Sequence, residues 1–576
     1  MKNLSSHLSP YRWNILLAVL AMGISAGSDL GLPLLLAQIV NVGLYQDDLA
    51  VVLRLGGWML ALALLGGGFA LLNSYLSAQI SANVGRTLRA EIFDKVESFS
   101  PAESGMFGTA SLITRSTNDV VQIQNYLLAL LRVVVRAPIL AVGGLVLSIG
   151  TSPTLSLVLC VSLPLLAFSV SLVAKKGLPL STSMQERLDR VTLIMREKLT
   201  GVRVIRAFGN EEYEQKRFDR ASRDLTGTAI RMNRVMTLLF PISNLIMGGT
   251  VTAIVWFGAP MVGSGSLLVG DIIVIVQYVT QILMSIMMIS MVFAMLPRAV
   301  TSAVRINEVL DAPEVITDPS APRRGAARGE LAFEDVSFTY PGAEEPALSH
   351  ISFTSHAGET TAIIGSTGSG KSSLLNLILR FYDVTGGRIL VDGVDVREYS
   401  QQELRGKIGY VPQRAVLFSG SIAENLRLGR EDASDSELSR AVSIAQADEF
   451  VNRREGGLEA ELSQGGANLS GGQKQRLSIA RAVARRPEIY LFDDSFSALD
   501  FTTDAKLRAA LSGETKDATV LIVAQRVSTI RYADRILVLD GGEQVGLGTH
   551  RELLKSCPVY REIAESQLSQ KEIDYE

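Results

Sequence analysis

The chain has 576 residues, 47% of them hydrophobic, with a mean hydropathy of +0.26 and a formal net charge of −3 at pH 7. That length suits two or three domains, and the composition is too apolar for an ordinary soluble protein, so membrane spans are expected. The charge argues neither for nor against nucleic acid, and none is expected as a partner; Cys160 and Cys557 imply no disulfide framework.

All 15 methionines precede residue 296 and all three tryptophans precede residue 257, which separates a lipid-facing first half from a second half of soluble composition. The first apolar run, Ile15 to Val40, is too long for a signal-peptide core and lacks a convincing cleavage site, so it reads as a retained span. Spans are predicted at about 15–40, 55–76, 126–149, 155–174, 235–261 and 272–295, each with ~20 or more mostly apolar residues, enough to cross as a helix. The connectors 41–52, 150–154 and 262–271 contain no Lys or Arg, whereas 175–234 contains fourteen and 77–125 contains Arg86, Arg89, Lys95 and Arg115. The excess of positive charge puts both termini and both long loops in the cytoplasm, in a multi-pass protein of the cytoplasmic (inner) membrane.

Helical periodicity over Ser77–Ser98 and Leu178–Arg223 predicts that the spanning helices continue into the cytoplasm, reversing near Thr109–Asn118 and Phe208–Glu214. A merely solvated charged face explains the same pattern. Asp29 falls near the middle of the first span, where a carboxyl is expensive and by default functional, although a structural contact with another helix or water explains it equally. Pro33 removes the N–H that would have bonded the Asp29 carbonyl. Arg132 and Arg136, four apart, share a helix face, either below the lipid or in a polar cavity. In the last span Gln277, Gln281, Met284, Met288, Met291 and Met295 form one stripe, suited to varied apolar ligands or equally to a packing seam.

Asp311–Glu330 is rich in Pro, Ala, Gly and Arg without an apolar period, so the expected organisation is a membrane domain over 1–310, a linker over 311–330 and a soluble domain over 331–576. In the soluble part Gly365, Ser366, Thr367, Gly368, Ser369, Gly370, Lys371, Ser372 and Ser373 fit G-x-x-x-x-G-K-[ST], between a predicted strand from Thr360 and a predicted helix to Leu379. Such a loop wraps phosphates with backbone N–H groups. Lys371 is expected at the β- and γ-phosphates and Ser372 on Mg²⁺. The apolar strand after Glu488 delivers Asp493, then Asp494, to its end, where a carboxylate can hold the Mg²⁺ water shell. Between them Leu469, Ser470, Gly471, Gly472 and Gln473 open a helix whose N–H groups can meet an anion.

These elements in this order, preceded by six spans, resemble an ABC exporter half-transporter over nearly the whole chain, and most closely the degenerate-site subunit of bacterial heterodimeric multidrug-type exporters. The resemblance implies an all-α six-helix transmembrane domain with long cytoplasmic extensions, followed by an α/β P-loop ABC nucleotide-binding domain on the cytoplasmic side, with ATP and Mg²⁺ as cofactors. It makes Tyr340 the aromatic that stacks on adenine, Gln413 a group near Mg²⁺ that senses the membrane domain, and Ser497, Ala498, Leu499 and Asp500 the loop that communicates across a dimer. The stretches Gly201–Phe208 and Leu404–Gln413 also resemble that group.

Two positions depart from the family pattern. Asp494 stands where a competent cassette has Glu, and Gln525 where it has His. A carboxylate one methylene short misses the attacking water by ~1 Å, and a misplacement of that size can lower the rate ~10²-fold. Glutamine can hydrogen-bond a phosphate but cannot carry a proton or a positive charge. Gln464 also stands where exporters commonly have Glu. The resemblance thus implies a site that holds ATP and hydrolyses it slowly, and an intact Leu469–Gln473 signature that completes the site of a partner half carrying Glu and His. The expected function is ATP-driven export of amphiphilic or apolar compounds, drugs or lipids, with little ATPase activity from this chain alone. A homodimeric exporter and a non-catalytic, nucleotide-gated regulatory membrane subunit are the alternatives.

Overall fold

The structure, a computed structural model, describes residues 7–325 and 328–568; parts of the predicted N-terminal lead, linker and C-terminal segment lie outside the described residues. The chain forms two units, one of residues up to Glu97 with Ala110–Asp311, the other of Ser98–Thr109 with the chain from Ala312 onward.

Among the described residues of the first unit, apolar runs make six helices long and apolar enough to cross a membrane: Ser9–Leu44, Leu49–Glu97, Thr109–Thr151, Pro153–Thr200, Glu211–Gly263 and Val269–Leu310. The longest has 53 residues, about 80 Å at ~1.5 Å per residue, where a hydrocarbon core needs only ~30 Å. Each predicted span is therefore one stretch of a longer helix. The polar extensions are more than solvated faces: Ile80, Val84, Leu88 and Ile92, at every fourth position of the second helix, are all buried. Two of these helices loosen into π-type turns, the first at Ile39–Leu44 and the third at both Arg115–Asp119 and Leu130–Val134, a feature frequent where side chains have work to do.

The first reversal does not lie at Thr109–Asn118. The second helix ends at Glu97, a short helix Pro101–Phe107 follows, and Thr109–Thr151 then runs on as the third long helix. The cause is local: Ser100 and Glu103 form a capping box, with Pro101 at the first helical position and Gly108 closing the turn at φ 73°. The polar residues expected to turn instead pack inside the unit. Ser302 Oγ donates to buried Asp119 at 2.9 Å, and Arg115 pairs with Glu308 at 2.9 Å. The second reversal falls where expected, between helices Val202–Ala207 and Glu211–Thr237.

The second unit is built on β1 (Leu331–Phe338), β2 (Leu348–Ser355), β3 (Thr360–Gly365), β4 (Gly386–Val391), β5 (Val394–Asp395), β6 (Ile408–Val411), β7 (Gly420–Ser421), β8 (Glu461–Leu462), β9 (Ile489–Asp493), β10 (Thr519–Val523), β11 (Arg535–Asp540) and β12 (Glu543–Gly548). Ten of these join one sheet in the order β5-β4-β1-β2-β12-β11-β3-β10-β9-β6, and β7 pairs with β8. The run β11-β3-β10-β9-β6 is parallel. The interiors of its strands are mostly apolar, as sheets covered on both faces require; β9, Ile-Tyr-Leu-Phe-Asp, is buried at every position. Register aligns the strand ends: Val523 pairs with Asp493 and Ile363, and Val411 with Phe492. The carboxyl ends of β3, β6, β9 and β10 therefore share one edge, where open α/β sheets hold ligands.

Candidate functional site

That edge gathers residues far apart in sequence. β3 leads into the loop Gly365–Ser373 and helix Lys371–Ile378. Gly370 sits at φ +93°, and a Cβ there would lie 2.7 Å from the Ala347 carbonyl, so only glycine fits. Lys371 Nζ turns back on the loop, donating to the carbonyls of Gly365 at 2.9 Å and Ser366 at 2.7 Å. Ser372 Oγ donates to Asp493 Oδ1 at 3.2 Å, bringing the hydroxyl and carboxylate expected on Mg²⁺ together from β3 and β9. A hard cation held by one carboxylate, one hydroxyl and substrate phosphates is the usual Mg²⁺ arrangement, so the residues fit the ion. Burial pushes the Asp493 carboxyl up and pulls the Lys371 ammonium down. Tyr340 OH and Ser373 Oγ are 2.8 Å apart, and its ring makes T-shaped contacts with Phe338 and Tyr382.

Asp494 follows β9 in the left-handed region, φ +48°. Its Oδ2 accepts from Gln525 Nε2 at 3.0 Å and from Gln413 Nε2 at 3.4 Å. Three loops, after β9, β10 and β6, thus converge on one carboxylate oxygen. Burial raises the Asp494 carboxyl, opposed by the Gln413 hydrogen bond and the Lys371 charge.

The signature stands apart from the P-loop. Ser470 caps helix Gly471–Arg485 in a capping box with Gln473, and Leu469 is buried before it. Ser470 and Gln473 bond each other, Leu469 N donates to the Gly466 carbonyl at 2.9 Å, and Lys474 reaches the Gly465 carbonyl at 2.9 Å. The signature abuts the loop Ser497–Asp500: a Cβ on Gly472 would meet the Ala498 carbonyl at 3.2 Å. Asp500 caps helix Phe501–Glu514, accepting from Thr503 N at 3.0 Å.

Sequence reasoning missed the residues that brace this edge. Buried Gln475 donates to the Pro412 carbonyl at 3.3 Å, tying the Gln413 loop to the signature helix. Ser495 Oγ, fully buried, donates to the Val411 carbonyl at 3.0 Å. Gln567 brackets the Gln525 segment, donating to the Gln525 carbonyl and accepting from Val527 N, each at 2.8 Å. A polar residue on the apolar face of the signature helix was the one available signal, for Gln475.

In the membrane unit Asp29, Gln277 and Gln281 line one cavity of about 350 Å³, together with Arg136 and apolar Leu32, Leu36, Met59 and Leu140. Arg136 Nη2 pairs with Asp29 Oδ2 at 2.8 Å. The Asp29 carbonyl freed by Pro33 accepts from Gln281 Nε2 at 3.2 Å. Arg132 donates to the Ser74 carbonyl at 3.0 Å. The methionines of the stripe go elsewhere: Met284 lines a separate crevice with Met287 and Phe240, and Met288 is exposed.

Known proteins resemble this chain over nearly its whole length. Residues 15–286 match the ABC transporter transmembrane region family and residues 348–497 the ABC transporter family. The chain is 43% identical to an uncharacterized ABC transporter ATP-binding protein of Mycobacterium tuberculosis (strain CDC 1551 / Oshkosh), over 98% of this chain and 97% of that one. It is 32% identical to the ATP-dependent lipid A-core flippase of Salmonella typhimurium (strain LT2), over 98% and 97% of the two chains. A solved bacterial Atm1-family ABC exporter with ATP bound superposes with a TM-score of 0.80 at 26% identity, covering 97% of this chain and 99% of the other. With six apolar helices fused to a nucleotide-binding sheet, and with full-length relatives of that build, the chain belongs to the ABC exporters as a half-transporter of the Atm1 and flippase type.

Proposed function

We propose that this exporter half works in a heterodimer, in which its own P-loop site retains ATP and its signature completes the hydrolytic site of a partner half. The observation that carries the reading is the tethering of Asp494 Oδ2 by the amides of Gln525 and Gln413. A general base must lie within hydrogen-bond reach of the water it activates. Here the carboxylate is short, bound by two amides, and faced at position 525 by a group that cannot take a proton.

Tyr340 and Gly365–Ser373 would hold the nucleotide, with Ser372, Asp493 and Gln413 placed for Mg²⁺. The ion, when bound, neutralises phosphate charge. Lys371 would leave the carbonyls of Gly365 and Ser366 for phosphate oxygens, exchanging neutral acceptors for charged ones. Ser470, Gly471, Gly472 and Gln473 would present the N-terminus of helix Gly471–Arg485 to the partner's ATP, and Ser497–Asp500, packed against Gly472, would feel that engagement first. In this reading both termini and the nucleotide-binding unit are cytoplasmic in the inner membrane, and the cargo is an amphiphilic or apolar compound; relatives named as lipid A-core flippases favour a lipid.

The test is ATPase activity of the purified chain alone and after co-expression with a half-transporter carrying Glu and His at the matching positions. Little activity alone and restoration with the partner are expected. Full turnover by this chain alone would refute the heterodimer.

A further inference from the structure

The segment after β10 carries Gln525 to the ligand edge of the sheet, and little in its own sequence holds it there. Its backbone is tied to the sheet at Ala524, whose N–H donates to the Ile363 carbonyl at 3.2 Å. Helix Val527–Ile530 then begins without a side-chain cap, because its N-cap residue is Arg526, which has donors and no acceptor. The Gln525 carbonyl and the Val527 N–H are left to find a partner elsewhere. Gln567 serves both: its Nε2 donates to the Gln525 carbonyl and its Oε1 accepts from Val527 N, each at 2.8 Å. Among the described residues neither group has another hydrogen bond.

The clamp has a direction. Turned over, the amide would set N–H against N–H and oxygen against oxygen, so the two bonds are made together or lost together. Its seat is fixed by packing. Tyr560, Ala564 and Gln567 fall on one face of helix Pro558–Gln567. Tyr560 and Ala564 are buried in one apolar cluster with Val527 and Ile530, which sets the helix against the segment that Gln567 grips. At its other end Gln525 reaches the site: β10 pairs with β3, so the residues after β10 border the phosphate loop, and Gln525 Nε2 donates to Asp494 Oδ2 at 3.0 Å. A long, flexible side chain delivers its amide to one point only when its backbone is held, and errors of ~1 Å matter at such a site. We infer that Gln567 is a positioning residue for the ATP site: it fixes the Gln525 backbone, and through it the amide that meets the terminal phosphate. The inference rests on the reading of this edge as an ATP site in which Gln525 faces that phosphate.

The test is equilibrium binding of ATP and of ADP, each with Mg²⁺, to the full chain in a nonionic detergent, because ADP lacks the phosphate in question. Gln525→Ala is expected to lower the preference for ATP over ADP by about tenfold or more, the size of one hydrogen bond to a charged group. Gln567→Met removes both ends of the clamp. It should lower the preference by about threefold or more with the ADP affinity unchanged, and should add nothing in a chain that already carries Gln525→Ala. Gln567→Glu keeps the acceptor for Val527 N and loses the donor to the Gln525 carbonyl, so it should lower the preference as Gln567→Met does. A native preference in Gln567→Glu would make Gln567 a helix cap only and overturn the proposal. Equal losses of ATP and ADP affinity, or a Gln567→Met effect that persists in full beside Gln525→Ala, would assign a general structural role and overturn it as well. If Gln525→Ala leaves the preference unchanged, the placement of Gln525 at the phosphate fails and takes the inference with it. If Gln525→Ala lowers the preference and neither Gln567 variant does, the inference alone fails.

Discussion

Gln525 Nε2 donates to Asp494 Oδ2 across 3.0 Å, joining the loops after β10 and β9 at the oxygen that would have to receive a proton. The left-handed backbone of Asp494, φ +48°, fixes the direction of the side chain, so its reach depends on its length. Asp494→Glu adds one methylene and is expected to raise single-turnover hydrolysis of ATP at this site, by up to ~10²-fold if position is the limiting factor. Adding Gln525→His should raise it further. Labelled ATP retained by the assembled complex and followed by quench measures both; rates unchanged from the native chain would locate the defect elsewhere.

The Gln413 loop is held from behind by Gln475, whose buried amide donates to the Pro412 carbonyl at 3.3 Å. Gln475→Leu keeps the bulk and removes the donor. Leaving that carbonyl unsatisfied should destabilise the protein by about 1–3 kcal/mol. Hydrogen exchange should rise at Gln413 and Arg414. Unchanged exchange there would mean the loop is held by its other contacts.

Features written in consecutive residues were legible from sequence. The P-loop, the signature at a helix start and the β9 strand with its two aspartates each need only a local pattern and its strand or helix context. The six apolar runs were likewise legible, because burial in lipid imposes a composition on ~20 residues at once. Features that depend on distant partners were not. Arg136 meets Asp29 from 107 positions away and Gln281 meets the Asp29 carbonyl from 252 away, so periodicity put the residues on faces without saying which faces met. The Gln–Met stripe divided for the same reason: one helix face borders more than one neighbour along its length. The first reversal was displaced because Thr109–Asn118 ends in the polar run Arg115–Asn118, while the Ser-Pro-Ala-Glu cap that makes the turn lies several residues earlier.

Glu103 tests that cap. It is buried, its Oε1 accepting from Val315 N at 2.8 Å and its Oε2 from Ser100 N at 3.0 Å. Burial alone would raise its carboxyl. The bonds from Ser100 and Val315 outweigh it and hold the carboxyl below the ordinary 4.5. A lowered carboxyl stabilises the fold above its unfolded value and loses that contribution as pH falls through its folded value. Glu103→Gln offers one oxygen to donors that now meet two, so a loss of about 1–2 kcal/mol is expected at neutral pH. The difference from the native chain should shrink below about pH 4.5, where the unfolded Glu becomes protonated. A pH-independent difference in thermal midpoint would assign the effect to packing.

Asp493 has the opposite sign. It is buried, its carboxyl is pushed up from 3.8 by that burial, and the neighbouring Asp494 charge adds to the rise, against the Ser372 hydrogen bond and Lys371. Between 3.8 and the raised value the folded chain binds more protons than the unfolded chain, so stability falls as pH rises through that window. Without nucleotide, then, the residue proposed for Mg²⁺ works against the fold at neutral pH. Asp493→Asn removes the ionisation and keeps an acceptor for Ser372 Oγ. The variant should unfold at a higher temperature than the native chain at pH 7, with the gain vanishing toward pH 4. Its Mg²⁺-dependent affinity for ATP should fall by at least tenfold, the loss of one charged ligand. A variant less stable than the native chain at pH 7 would mean that the Asp493 carboxylate is supported by its neighbours and is not held at a cost for the sake of the metal.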